Sequence, residues 1–174
     1  MIGFSGAGKT TIGEPLARLL DAEFIDLDAY IEQRHGCAIA DIFRRDGEAT
    51  FRASETEAIR ELATRHNCIV ACGGGTPCHS DNMALMNATG TTVWLRASHE
   101  RLLSRLSLPE QQAVRPLIAH LSAAQLATYI DAKLAEREPV YSTAHLTFCS
   151  DRLEDAQQIA DSARALAALL SHAD

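Results

Sequence analysis

The sequence is poor in the features that mark membrane-spanning, secreted or nucleic-acid-binding chains. No apolar run approaches the ~18 residues that a membrane-crossing helix needs. No basic stretch followed by an apolar one opens the chain, so a secretory leader is not expected. Five cysteines are present, but the number is odd and no two are spaced C-x-x-C, which argues against a disulfide framework and a structural zinc site. Reduced thiols and a cytoplasmic location are the expectation. Positive charge is in deficit: 16 Lys and Arg against 23 Asp and Glu leave a formal net charge of −7, so neither nucleic acid nor an anionic membrane is an expected partner. Aromatic residues are scarce at 5%, and no repeat or low-complexity block interrupts the chain. The seven histidines include no i, i+4 pair, so none is assigned to a metal.

What remains is the make-up of an ordinary globular protein: 47% hydrophobic and 22% charged residues over 174 positions, read as one domain over 1–174. Short apolar runs alternate with amphipathic stretches, the pattern of βαβ units and a mostly parallel sheet. Met1-Ile2 is the stub of a first strand, and 8–20 reads as a helix with Ile12, Leu16, Leu19 and Leu20 on one face. A strand is expected at 23–26, helices near 28–35, 38–45 and 48–65, and a buried strand at 68–72. Ser80 and Ser98 are candidate caps for helices at 81–88 and after 98. A helix from about 122 to 137 is expected to stop before Pro139. A last strand over 145–149 and a closing helix over 153–170 complete the pattern. The stretch 107–121, with Pro109, Pro116 and weak periodicity, reads as a mobile segment.

Residues Gly3-Phe4-Ser5-Gly6-Ala7-Gly8-Lys9-Thr10 fit G-x-x-x-x-G-K-[ST] at every fixed position, between a strand stub and a helix. Glycines there let backbone amides turn toward phosphate oxygens, and the helix N-terminus adds partial positive charge. Lys9 can reach the outer phosphates, and the Thr10 hydroxyl suits Mg²⁺. Gly6, Ala7, Gly8, Lys9, Thr10 and Thr11 are therefore candidate ATP-binding residues. The motif leaves the phosphoryl acceptor open.

Asp26 and Asp28 close the strand at 23–26, where ligands bind in open parallel sheets. Two acids at i and i+2 share a strand face, so one can serve the metal through water and the other can take a proton from an attacking hydroxyl. A helix N-cap is the plain alternative for Asp28. Arg52 either pairs with Glu55 at i+3 on the surface or clamps a carboxylate with its guanidinium fork. Gly73-Gly74-Gly75 follows the buried strand; three glycines in a row suit backbone lying against an anionic ligand. Arg115, in the mobile segment, can swing over a phosphate as a lid arginine. Arg137 either serves a ligand or complements a helix C-terminus.

Taken together, the phosphate loop, Phe24-Ile25-Asp26-Leu27-Asp28, Phe51-Arg52-x-x-Glu55, Val70-Ala71-Cys72-Gly73-Gly74-Gly75, Arg115-Pro116-Leu117 and Arg137-x-Pro139-x-Tyr141 resemble the shikimate kinase family, in order and along essentially the whole chain. The resemblance implies a three-layer α/β/α P-loop fold like that of nucleoside monophosphate kinases. It would have a five-stranded parallel sheet, a phosphate loop at 3–10, substrate-binding helices over about 28–65 and a lid over about 107–121. It implies transfer of phosphoryl from ATP to the 3-hydroxyl of shikimate, with Mg²⁺, on the route to chorismate and the aromatic amino acids. By that resemblance Asp28 binds the ring hydroxyls and helps deprotonate the acceptor. Arg52, Arg137 and the glycines at 73, 74 and 75 hold the shikimate carboxylate. Lys9 and Arg115 stabilise the transferring group, and Thr10 ligates Mg²⁺ with Asp26 supporting it through water. Arg105 and Arg152 belong to the adenine side. The sequence departs from the family pattern at Cys72, where a small hydroxyl residue is usual, and in the length of the stretch between Arg105 and Arg115. A monomer is expected, because no apolar stripe is left over for an interface.

Overall fold

A computed structural model describes residues 1–113, 115 and 117–171; Pro116 of the Arg-Pro-Leu motif, its neighbour Val114, and His172 with the last two residues lie outside the described set. In chain order the elements are α1 (Lys9–Leu19), β1 (Glu23–Asp26), α2 (Leu27–His35), α3 (Ile39–Leu62), β2 (Cys68–Ala71), a single 3₁₀ turn (Thr76–Cys78), α4 (Asn82–Thr89), β3 (Val93–Arg96), α5 (His99–Leu106), α6 (Pro109–Ala113), α7 (Ala123–Tyr141), β4 (Leu146–Cys149) and α8 (Ala156–Ser171).

The strands form two parallel pairs. In one, Glu23 of β1 lies opposite Cys68 of β2; in the other, Val93 of β3 lies opposite Leu146 of β4. Met1 and Ile2 sit between the pairs and bond to both. The Met1 amine donates to the Val70 carbonyl at 2.5 Å and the Met1 carbonyl accepts from Cys72 N at 3.0 Å. Ile2 N donates to Val93 O at 2.8 Å, and Ile2 O accepts from Leu95 N at 2.9 Å. The expected parallel sheet is seen, among the described residues, as four strands with a two-residue bridge between the pairs. Gly3, with a φ of 138°, turns the chain out of the sheet and into the phosphate loop. The order across the sheet is β1, β2, the bridge, β3, β4.

Helices cover both faces, and strand alternation sorts the core between them. Val93 and Leu95 face a cluster with Ile12 and Leu16 of α1, Leu102 of α5, Ile130 of α7 and Leu166 of α8. Trp94 faces the opposite layer, with Ile31 of α2, Ile59 of α3 and Tyr141.

Three local expectations change. The helix predicted to end at 137 runs on to Tyr141, through Pro139. That proline forfeits one amide donor. The end of α7 is nonetheless held, because Ser142 N donates to Glu138 O and the Tyr141 hydroxyl donates to the Gly74 carbonyl. Ser80 does not cap α4; it sits at φ 51° and Asp81 precedes the helix without a side-chain cap. The helices expected at 38–45 and 48–65 join into α3, broken at Gly47, whose φ of 82° is open to glycine at low cost. Ser98 does cap α5, accepting from Arg101 N.

Candidate active site

The phosphate loop lies where the bridge leaves the sheet. Gly6 and Gly8 adopt φ 80° and 88°, which lets successive amides face one concavity. Gly8 also precedes α1, and no side chain caps that helix, so its first amides remain open to an anion. Lys9 folds back, with Nζ donating to Gly3 O at 2.8 Å and Phe4 O at 2.9 Å. Burial lowers its pKa to about 8, so its proton is held less tightly than that of a free lysine. Ala7, within the loop, is fully buried.

A cleft of about 570 Å³ opens over this loop. It is lined by Lys9, Thr10 and Thr11 of the loop and α1, by Asp26, Asp28, Gly73 and Gly74, and by Arg105, Gln111 and Arg115. The Thr10 hydroxyl donates to Asp26 Oδ2 at 3.1 Å. The other Asp26 oxygen accepts from the amides of Asp28 and Ala29. Asp26, not Asp28, is therefore the N-cap of α2. The strand-face reading of the pair is corrected accordingly. Asp28 sits in the first helical turn, and its carboxyl is free for the cleft. Burial, with Asp26 and Glu55 nearby, pushes its pKa up to about 6 despite the opposing pull of Lys9.

The glycine loop explains its own composition by close approach, not by φ. A Cβ at Gly75 would stand 3.0 Å from Arg52 Nη1, one at Gly74 would stand 3.2 Å from Arg137 Nη1, and one at Gly73 would stand 3.2 Å from Asp28 Oδ1. Both arginines and the aspartate thus converge on three bare backbone units. Of its two sequence readings, Arg52 shows the pairing with Glu55 at i+3, though not on the open surface. Its Nη1 donates to Glu55 Oε2 at 2.7 Å, Nε and Nη2 reach Glu48, and the pair lies against the glycine loop instead of open water. Glu55 is 1% exposed, and its second oxygen accepts from the Thr76 hydroxyl. Arg137 stacks over Phe4 at 5.7 Å from the ring centroid.

Arg105 clips the phosphate loop to the segment after β4. It donates to Gly6 O at 3.3 Å, Ser150 O at 3.0 Å and Asp151 O at 2.9 Å. Arg152 is exposed and does not line the cleft; its neighbours Leu153 and Glu154 do. Cys72 is buried beside Met86, and burial raises its thiol pKa.

Several participants escape sequence reasoning. Glu55 is legible as an i+3 partner, but not as a buried one. Thr76, Ser5 and Gln111 carry no spacing signal, and Tyr141 reveals its bond to Gly74 only through the fold.

Known proteins point the same way. The family model described as Shikimate kinase matches residues 5–167. A shikimate kinase of Parabacteroides distasonis is 40% identical over 170 residues, spanning 98% of this chain and 97% of that protein. The crystal structure of shikimate kinase from Bacteroides thetaiotaomicron superposes with a TM-score of 0.92 at 41% identity, covering 98% of this chain and 97% of the other. That of shikimate kinase from Acinetobacter baumannii in complex with shikimate does so with 0.82 at 33% identity, covering 98% and 90%.

Proposed function

The chain belongs to the shikimate kinase family, and on that premise we propose how its own residues share the work of phosphorylating shikimate with ATP. The carrying observation is a cleft lined by Asp28, the phosphate loop, Gly73 and Gly74, with Arg137 and Arg52 packed against the same glycine loop outside that lining.

Asp28 accepts a hydrogen bond from the 3-hydroxyl and takes its proton as the oxygen attacks. A pKa near 6 suits a proton acceptor, because the carboxylate predominates at neutral pH yet is basic enough to receive a proton. Arg52 and Arg137, with the glycines at 73, 74 and 75 between them, hold the substrate carboxylate. Glu55 and Glu48 keep the Arg52 fork oriented. Lys9 exchanges its loop carbonyls for phosphate oxygens and, with Arg115, neutralises charge during transfer. ATP supplies the phosphoryl group and Mg²⁺ charge neutralisation. The donor set fits the metal, since Thr10 Oγ1 and Asp26 Oδ2, joined by a hydrogen bond of 3.1 Å, are both hard oxygen ligands. Thr10 would hold the ion directly and Asp26 through water. Gly6, Ala7, Gly8, Lys9, Thr10 and Thr11 would cradle the phosphates. Arg105 and the segment holding Arg152 would flank the base, with Leu153 and Glu154 nearer to it.

The same reading makes 1–174 a single catalytic domain, 28–65 its substrate side and 107–121 a lid, since Gln111 and Arg115 reach the cleft from that segment. It also makes the protein a cytoplasmic monomer without nucleic-acid or membrane partners. No helix among the described residues is long and apolar enough to cross a membrane.

The test is ADP release from Mg-ATP with shikimate, with gluconate as the control acid. Release with shikimate alone is expected. Equal release with gluconate, or none with shikimate while ATP still binds, would refute the assignment. Asp28→Asn should cut turnover by about 10² or more while ATP binding persists.

A further inference from the structure

The phosphate-loop motif leaves positions 4–7 free in residue type, and this chain places a serine at position 5. Ser5 Oγ lies 3.0 Å from Arg115 Nε and accepts its hydrogen bond. On the other edge of the guanidinium, Nη1 donates to Gln111 O at 2.9 Å and Gln111 Oε1 at 2.7 Å. Both Ser5 and Gln111 line the cleft. Among the described residues, this is the one hydrogen bond between the 107–121 segment and the phosphate loop, and it joins positions 110 residues apart.

An arginine side chain is long and rich in rotamers, and holding it in one of them costs entropy. A guanidinium pinned at Nε and at Nη1 has lost most of it before any ligand arrives. Its Nη2 edge makes no hydrogen bond among the described residues and stays open to the cleft. Burial lowers the Arg115 pKa while the charge on Asp28 raises it, which agrees with a guanidinium drawn into the site. Charge held ready where it develops in the reaction is worth more than charge recruited from solvent, because no reorganisation accompanies the step.

We infer that Ser5 is a positioning residue. With Gln111, its hydroxyl latches the Arg115 guanidinium over the phosphate loop, so that lid closure and correct orientation of the arginine are one event. The inference rests on the role proposed above for Arg115.

The test is a double-mutant cycle on steady-state kinetics with saturating shikimate, using Ser5→Ala, Arg115→Ala and the double variant. Ser5→Thr is the conservative control and Gln111→Ala removes the second arm. Ser5→Ala should lower kcat about tenfold, the size of one hydrogen bond to a charged partner, with the KM for ATP within about twofold. Ser5→Thr should restore kcat. Gln111→Ala should show the same loss as Ser5→Ala. In the Arg115→Ala background, Ser5→Ala should change nothing further. An equal fall in both backgrounds, or no fall in the parent, would overturn the latch while leaving the role of Arg115 intact. A normal kcat in Arg115→Ala alone would overturn the arginine's role, and the latch with it. A rise in kcat on Ser5→Ala would show that the contact restrains the arginine instead of orienting it, and would equally overturn the inference.

Discussion

Replacing Asp28 with asparagine should make the protein more stable at neutral pH even as it stops turnover. The carboxyl titrates near 6 instead of its ordinary 3.8, because burial and the neighbouring Asp26 and Glu55 penalise its charge. At about 1.36 kcal/mol per pKa unit the penalty is at most about 3 kcal/mol. The cleft is open to water, and the N-terminus of α2 favours the carboxylate, so about 1–2 kcal/mol is the realistic gain. For a domain of this size that is about 3–6 °C in Tm. The sign follows from proton linkage. Between about pH 4 and pH 6 the folded state binds the Asp28 proton more tightly than the unfolded chain, so this group's contribution to stability falls as pH rises through that window. Asparagine has the same shape and no charge. The parent and Asp28→Asn should therefore melt together near pH 4 and diverge by pH 7, with the variant higher. Thermal melts followed by circular dichroism at several pH values measure this directly. A variant that melts at or below the parent at pH 7 would refute the reasoning, as would a gain of equal size at pH 4.

Other outcomes follow from the same geometry. The kcat/KM for shikimate should fall on an acid limb near pH 6, with about tenfold loss per unit below it, and Asp28→Glu should move that limb; a profile flat to pH 5 would remove Asp28 as the proton acceptor. Arg52→Lys should raise the KM for shikimate about tenfold with a smaller effect on kcat, since an ammonium cannot engage Glu48, Glu55 and a carboxylate through a planar fork; initial-rate kinetics would read the split. Gly3→Ala should cost about 3 kcal/mol or more in denaturant unfolding. Its φ is 138° and a Cβ would collide with the Leu95 carbonyl oxygen, which belongs to β3 and cannot yield.

Much of the site is legible in the sequence because its chemistry is local. A phosphate loop works through consecutive amides, one lysine and one hydroxyl, so eight adjacent residues carry the whole signal. The close-packed glycines at 73, 74 and 75 announce a contact without naming its partners, which are Asp28, Arg137 and Arg52. Pro139 misleads, because a broken local hydrogen bond is weighed without the Tyr141–Gly74 bond that anchors the same turn from across the fold. Asp26 and Asp28 mislead in a smaller way. Their spacing suits a strand, but the helix begins between them, and the cap at Asp26 turns the two carboxyls to different roles.

The sequence by itself determined the parallel α/β pattern, the phosphate loop and the set of acids and arginines around it, since periodicity, turn glycines and motif spacing are short-range properties. Tertiary structure alone decided which groups are buried and which distant ones meet. It buried Glu55 behind Arg52, brought Arg105 to the loop after β4, and set Ser5 against Arg115. Those pairings depend on how parallel strands and their covering helices bring distant segments to one sheet edge, and no local preference encodes that distance.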